Sequence, residues 1–161
     1  MKKVVKFGGS SLANAEQFQK VGDIIRSDES RRYVVPSAPG KRFSADTKVT
    51  DLLYTCYGKA EAGEDFTDVL TEIKGRFYEI IKGLNLDLSL EEEFRQIEAD
   101  FKAHAGNEYA ASRGEFLNGK VMAAYLGYEF IDSATVIRFD KNGNFDADKT
   151  DKLLSKRLQK C

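Results

Sequence analysis

The sequence of 161 residues has few of the residues that build metal centres and disulfide frameworks. Its two cysteines, Cys56 and Cys161, have the spacing of neither a disulfide framework nor a metal site. The single histidine, His104, excludes a conventional zinc cluster. A Ser-His-Asp triad built around that histidine stays open, but no motif supports it.

Long apolar runs and a strong excess of one charge are also absent. The formal net charge is -1, so the sequence shows no electrostatic footprint for binding nucleic acid or an anionic membrane. No apolar stretch approaches the roughly 20 residues that cross a bilayer. The Met-Lys-Lys start leads into an apolar run that is too short, and too interrupted by charge, for a signal peptide. These absences predict a cytoplasmic protein without nucleic-acid or membrane partners.

The first 36 residues predict a strand, a helix and a second strand. Lys3 to Phe7 is rich in β-branched residues and is followed by glycines, as is typical of a short buried strand. Apolar residues recur at helical spacing between Ala13 and Arg26. A second apolar run, Tyr33 to Val35, stops at Pro36. The crossover between the runs is long enough for a right-handed parallel unit.

The rest of the chain is predicted to be mostly helical. Apolar periodicity predicts helices over residues 48–60, 107–127 and 148–160, and a pair of helices between about 64 and 104 that forms an antiparallel hairpin added to the α/β core. Tyr128 to Asp132 predicts a third strand. Residues 135–146 predict a β-hairpin around Asn142-Gly143, a strong signal for a two-residue turn.

The turn after the first strand, Gly8-Gly9-Ser10-Ser11, has the composition of an anion-binding site. Glycines allow close backbone approach and positive φ, while free amides at a helix entry and serine hydroxyls can donate hydrogen bonds. Lys6 lies at the carboxyl end of the strand, where open α/β sheets bind ligands. The glycine spacing matches neither the common P-loop nor the dinucleotide fingerprint. On composition alone, a plain strand-to-helix connection is the alternative.

Three segments, in this order, resemble the aspartokinases of the amino-acid kinase superfamily. KFGGSSLA (6–13) resembles their N-terminal signature, VVPSAPGKR (34–42) with TKVTDLLY (47–54) resembles their Ser-Ala-x-Gly loop and following helix start, and SRGE (112–115) resembles their Ser-x-Gly-Glu substrate motif. The resemblance implies an α/β fold: the N-terminal half of a three-layer, carbamate-kinase-like structure with a mainly parallel sheet and an added helical hairpin.

The resemblance also implies an activity, transfer of the γ-phosphoryl group of ATP to the β-carboxylate of L-aspartate, which opens lysine, methionine and threonine biosynthesis. Both reactants are anionic, so positioning and charge neutralisation, with Mg²⁺ on the phosphate oxygens, are expected to carry the catalysis. By resemblance, Lys6 is the catalytic residue and no residue ligates a metal. The nucleotide phosphates are assigned to Lys6, Gly8, Gly9 and Ser10, and aspartate is assigned to Ser37, Thr50 and Glu115.

Three of these residues also have ordinary structural interpretations. Ser37 could be a turn residue, Thr50 a helix N-cap and Glu115 a solvated helix residue. Two other functions stay open as well. One is another superfamily member, such as an acetylglutamate, glutamate or uridylate kinase, and the other is a non-catalytic binding or assembly module with a kinase-like half-fold.

The sequence departs from full aspartokinases in two respects: it has no later Gly-Arg-Gly-Gly-Ser-Asp nucleotide segment and no regulatory ACT domains. Residues 1–161 are therefore expected to form a single partial domain that is truncated and, in isolation, inactive or nearly so. An unpaired strand edge and an exposed apolar face are expected to favour a homo-oligomer.

Overall fold

The parallel unit predicted for the N-terminus is present in the computed structural model, which describes all residues from Met1 to Cys161. Strands β1 (Lys3–Phe7) and β2 (Arg31–Pro36) pair in parallel, with Val5 opposite Val34 and Lys6 opposite Val35. Helix α1 (Ala15–Arg26) connects them. It starts two residues later than predicted, because Gly9–Leu12 first form a 3₁₀ turn.

Four longer helices follow: α2 (Val49–Glu61), α3 (Thr67–Gly83), α4 (Glu91–Lys102) and α5 (Asn107–Leu126). The predicted helical hairpin consists of α3 and α4. The Phe77 ring near the end of α3 lies 6.1 Å from that of Phe94 near the start of α4, while Phe66 before α3 lies 6.3 Å from Phe101 near the end of α4. The two helices therefore run antiparallel.

The hydrophobic core lies between one face of the sheet and helices α1 to α5. Val5, Phe7 and Val34 pack against this core from the sheet. Their neighbours Val4 and Val35 are on the opposite face and are exposed, at 68% and 48%. The alternation follows the two-residue period of strands, and it leaves the second face of the sheet open.

The predicted third strand at Tyr128–Asp132 is wrong. The structure has one sheet of two strands, and residues 128–132 form no ladder with either. An apolar run becomes a strand only where a neighbour accepts and donates its backbone hydrogen bonds. Instead, α5 ends at Gly127 in the left-handed conformation (φ 70°), and Asp132 caps a 3₁₀ turn over Ser133–Thr135.

Residues Glu129–Cys161 form a compact unit of their own, separate from Met1–Tyr128. The chain turns at Asn142-Gly143, and Phe139 and Phe145 form an antiparallel bridge across this turn. It is not the two-residue turn predicted, because the Gly143 N–H donates to the Asp140 carbonyl oxygen at 3.0 Å and only Gly143 has positive φ (81°). Helix α6 (Ala147–Leu158) follows, and the Asp146 side chain accepts a hydrogen bond from its Lys149 N–H at 3.0 Å. None of the helices α1 to α6 combines the length and apolarity that a membrane span requires.

Candidate active site at two glycine loops

Two loops start at the same end of the sheet, the carboxyl end of the strands, because β1 and β2 are parallel neighbours. The first glycine loop is Gly8–Leu12 after β1, and the second glycine loop is Ser37–Lys48 after β2. The Ser37 N–H donates to the Phe7 carbonyl oxygen at 3.0 Å, and the Gly40 N–H donates to the Gly9 carbonyl oxygen at 2.8 Å. These two hydrogen bonds dock the loops against each other.

Close backbone contact explains the glycines at the point where the loops meet. A Cβ on Gly40 would lie 2.6 Å from the Gly9 carbonyl carbon and 2.7 Å from the Ser10 nitrogen. A Cβ on Gly9 would lie 2.9 Å from the Ala38 carbonyl oxygen. Neither glycine has positive φ. Glycine is therefore required at these two positions because there is no room for a side chain. The left-handed conformation, which the sequence suggested as another reason for glycine, is not adopted.

The first glycine loop presents unused hydrogen-bond donors. Gly9 and Ser10 open the 3₁₀ turn, so their N–H groups have no acceptor within it, and they donate to no other backbone group. Ser10 is exposed. The turn that the sequence suggests as an anion site thus has two free N–H groups, and these belong to the 3₁₀ turn and not to the start of α1. The start of α1 is capped separately by Asn14, which accepts from the Gln17 N–H.

Lys6 differs from the two lysines that precede it, Lys2 just before β1 and Lys3 at its first position. Lys3 forms an ion pair with Asp28 at 2.7 Å, and the Lys2 ammonium lies 5.9 Å from the centroid of the Tyr33 ring. Lys6 is exposed and makes no hydrogen bond or ion pair. Its ammonium group is therefore available to bind an anion next to the first glycine loop, which follows β1.

The second glycine loop is closed by an Arg42–Asp46 ion pair. The Arg42 side chain donates to both Asp46 carboxylate oxygens, from Nε at 2.7 Å and from Nη2 at 3.1 Å. The Arg42 side-chain hydrogen bond is the main reason why the pKa of Asp46 lies well below its ordinary value. The Asp46 side chain is 8% exposed and that of Arg42 is 29% exposed, so only the carboxylate side of this contact is sheltered from solvent.

Helix α5 packs directly on the second glycine loop. A Cβ on Gly114 would lie 2.7 Å from the Cβ of Ala38. One turn later, Asn118 Nδ2 donates to the Ser37 carbonyl oxygen at 2.7 Å, while its buried Oδ1 has no partner. The Ser-Arg-Gly-Glu segment therefore lies beside the loop, and its Glu115 side chain is exposed.

Thr50 lies in the first turn of α2, where the Val49 N–H donates to the Pro39 carbonyl oxygen at 3.1 Å. The N-cap of this helix is Lys48, so the alternative role of Thr50 as an N-cap is wrong. Thr50 is half-buried and its hydroxyl makes no hydrogen bond.

The fold thus brings the elements that carry the site residues to one region, but no hydrogen bond links those side chains directly. Lys6 and Gly8–Ser10 belong to one sheet edge, Ser37 opens the adjoining loop, and Thr50 and Glu115 lie on the two helices that contact this loop. Two surface cavities, between α4 and α5 and beside Phe66 and His104, include none of these residues. The structure has no cluster of three or more His, Cys, Asp or Glu side chains that could hold a metal ion.

Sequence reasoning missed Arg76 and Asn118, the two buried polar side chains that contact the second glycine loop. Each had a signal. Arg76 lies three residues after Ile73 and four before Ile80, on the buried side of its helix, and Asn118 lies between Gly114 and Met122 in the same way. A polar residue inside an apolar stripe needs a specific partner, and here that partner is a backbone carbonyl of the loop.

Comparison with known proteins places these features in a family. The model of the amino acid kinase family matches residues 1–159. Aspartokinase 3 of Bacillus subtilis (strain 168) is 39% identical over 141 residues, which cover 83% of this chain and 31% of the relative. The chloroplastic aspartokinase 1 of Arabidopsis thaliana is 32% identical over 136 residues, covering 76% and 23%.

Solved structures give the same result. Clostridium acetobutylicum aspartate kinase superposes with a TM-score of 0.93 at 47% identity, over 98% of this chain and 36% of that chain. E. coli aspartokinase III in complex with aspartate and ADP superposes with a TM-score of 0.79 at 24% identity, over 98% and 38%. The expected fold class is confirmed. This chain spans between 23% and 38% of the length of these relatives.

Proposed function

The chain belongs to the amino acid kinase family, and on this premise we propose that it is the N-terminal part of an aspartokinase catalytic domain. The reaction is transfer of the γ-phosphoryl group of ATP to the β-carboxylate of L-aspartate. The observation that carries the proposal is the superposition on Clostridium acetobutylicum aspartate kinase, with a TM-score of 0.93 at 47% identity. The three sequence segments that resemble aspartokinases meet at the two glycine loops.

Nucleotide phosphates bind at Lys6 and the first glycine loop. The free Lys6 ammonium neutralises charge on the transferred group, and the unused N–H groups of Gly9 and Ser10 donate to phosphate oxygens. Gly8 precedes them in an extended conformation and is exposed, which leaves the approach to the loop open. Two anionic reactants repel each other, so a cation and fixed donors at this point lower the barrier mainly by charge stabilisation.

Aspartate binds on the opposite side of the second glycine loop. The exposed Glu115 carboxylate is suited to the α-ammonium group, and the Thr50 and Ser37 hydroxyls have no internal partner and can donate to a carboxylate. The loop that separates the two half-sites is docked to both the first loop and α5. The substrate carboxylate is thereby held next to the phosphates.

Mg²⁺ is supplied with the nucleotide. When bound, it would neutralise part of the phosphate charge beside Lys6 and the first glycine loop. We expect a cytoplasmic homo-oligomer, whose assembly covers the open sheet face at Val4 and Val35.

Calorimetric titration with Mg²⁺-ATP tests the nucleotide half-site. Lys6→Ala is expected to weaken binding at least about tenfold, because a charge-assisted contact of roughly 1.5–3 kcal/mol is lost. Lys2→Ala is the matched control, since it removes an equal charge immediately before the same strand, and its affinity should stay within about twofold of the parent chain. Equal affinities of all three proteins would contradict the assignment.

A coupled assay with ATP and aspartate tests the reaction. The residues assigned here bind phosphates and aspartate but include no adenine pocket, so the 161-residue chain is expected to show little or no turnover in isolation. Robust turnover would refute that expectation. Glutamate or uridylate accepted in place of aspartate would instead favour another member of the family.

A further inference from the structure

Arg76 on α3 is a buried cation far from the termini of its helix. Its side chain is 3% exposed and lies among the apolar residues of α3 that face the core. Burial is the largest cause of its pKa being lowered from the ordinary value. A buried guanidinium is costly unless it is paired and hydrogen-bonded, so its position calls for a function that an apolar residue could not fulfil.

The Arg76 guanidinium binds both ends of the second glycine loop. Nη2 donates to the Gly40 carbonyl oxygen at 2.6 Å, and Nη1 donates to the Thr47 carbonyl oxygen at 2.8 Å. Nη1 also lies 3.5 Å from the Asp46 carboxylate. A planar group with several fixed donors can span two carbonyls in this way, whereas a lysine ammonium cannot keep the same geometry.

Gly40 transmits this contact to the first glycine loop. Its carbonyl oxygen accepts from Arg76 and its N–H donates to the Gly9 carbonyl oxygen at 2.8 Å. The backbone of Gly40 is thereby held between α3 and the first loop. The N–H that follows the Gly9 carbonyl group along the chain is that of Ser10, one of the two free donors of the first loop.

We propose that Arg76 is a positioning residue for phosphate binding, which holds Gly40 against Gly9 and so fixes the direction of the Gly9 and Ser10 N–H groups. The inference rests on the proposed function, because it assumes that these groups donate to phosphate. It also gives the helical hairpin a part in the site: α3 supplies the side chain that orders the loops.

Amide hydrogen exchange measured by NMR, together with Mg²⁺-ATP calorimetry, tests this role. In Arg76→Lys and Arg76→Met, the Gly40 N–H is expected to exchange at least about tenfold faster, while the amide of Leu117 in the core of α5 keeps its rate. ATP affinity is expected to fall at least about tenfold in both variants. The matched control is Glu79→Gln, since Glu79 lies one turn along α3 and accepts a hydrogen bond from the exposed Arg42 but none from Arg76. It should change each quantity less than about twofold.

The two readouts separate the possible failures. An unchanged Gly40 exchange rate in a folded Arg76 variant overturns the inference, and so does an equal acceleration at Gly40 and Leu117, which would mean general destabilisation. If the parent chain binds no Mg²⁺-ATP, the proposed nucleotide half-site fails, while Gly40 exchange still decides whether Arg76 orders the loops.

A second substitution keeps the test decisive if both Arg76 variants fail to fold. Gly40→Ala leaves Arg76 intact but places a Cβ 2.6 Å from the Gly9 carbonyl carbon, which separates the loops directly. It is expected to reduce ATP affinity at least about tenfold. Unaltered affinity in this variant would show that the spacing of the loops does not matter, and would overturn the inference.

Discussion

Each of the two compact units of the molecule is stabilised internally by a different kind of interaction. Every buried apolar side chain except Val136 belongs to Met1–Tyr128. Glu129–Cys161 depends instead on local hydrogen bonds, such as the Asp146 cap and the buried Thr150 hydroxyl, which accepts from the Arg138 N–H at 2.9 Å. Burial gives cooperative stability, whereas short-range caps and turns open at low free-energy cost.

This difference has a consequence for function. All seven residues assigned to phosphate or aspartate lie within Met1–Tyr128, the unit with the large apolar core. Sites that must stabilise developing charge need fixed donors, and a well-packed unit provides them. We therefore expect substitutions in the two units to differ in how much they lower the free energy of unfolding and in how many residues they affect.

The comparison is tested most strongly by removing one phenylalanine from each unit. Phe77 is fully buried, so Phe77→Ala is expected to lower the free energy of unfolding by about 3–5 kcal/mol. Phe139 is 62% exposed, and Phe139→Ala should cost no more than about 1 kcal/mol. Urea unfolding followed by circular dichroism measures both. Similar losses would remove the distinction between the units.

Asp46→Asn tests the Arg42–Asp46 ion pair of the second glycine loop. At pH 7 it is expected to lower the free energy of unfolding by about 1.5–3 kcal/mol, because two charge-assisted contacts with Arg42 are weakened. The pKa of Asp46 is lowered in the folded protein, so this stabilisation is present above the ordinary carboxyl pKa of 3.8 and is lost as pH falls below it.

The difference between the parent chain and Asp46→Asn should therefore shrink when unfolding is measured at pH 3. The exposed Asp87, which makes no hydrogen bond or ion pair, provides the control Asp87→Asn. That variant should match the parent chain at pH 7 within about 0.5 kcal/mol. A difference for Asp46→Asn that stays constant with pH would show that its carboxylate is not the stabilising group.

Gly114→Ala distinguishes packing against the site loop from helix propensity. Its Cβ would lie 2.7 Å from Ala38, and the resulting overpacking of about 1–3 kcal/mol should outweigh the gain of about 1 kcal/mol from alanine in a helix. Gly75→Ala, with no atom within 4 Å of the new Cβ, should stabilise by about 0.5–1 kcal/mol. Thermal unfolding measures both, and stabilisation by Gly114→Ala would contradict the close contact.

Asp146→Ala is expected to have the smallest and most local effect. Loss of this N-cap should cost about 1 kcal/mol, seen as roughly fivefold faster amide exchange in α6. Asp148→Ala in the same helical turn, whose carboxylate accepts no hydrogen bond, is the control. Amides of Met1–Tyr128 should keep their rates in both variants, and faster exchange there would show that the units are energetically coupled.

The sequence predicts local structure well where one signal dominates. β-Branched residues with following glycines give β1, the apolar stripes give α3 and α4, and Asn142-Gly143 gives the turn. It fails at Tyr128–Asp132, because the apolar run carries no information on whether a partner strand is present. Strand formation there depends on a long-range contact.

The candidate site divides in the same way. Motifs identify Lys6, Ser37 and Glu115 as candidates, and their roles stay predictions. The hydrogen bonds of Arg76 and Asn118 to the second glycine loop join residues 36 and 81 positions apart, respectively. Such pairings arise only when helices and loops pack, so amphipathic periodicity shows the polar residue but not its partner.

The most direct test of phosphate binding at Lys6 is a crystal structure of the chain with Mg²⁺ and a non-hydrolysable ATP analogue. We expect the Lys6 ammonium and the Gly9 and Ser10 N–H groups within hydrogen-bonding distance of phosphate oxygens, about 2.7–3.2 Å. An analogue whose phosphates bind elsewhere, with Lys6 still pointing into solvent, would contradict the central claim.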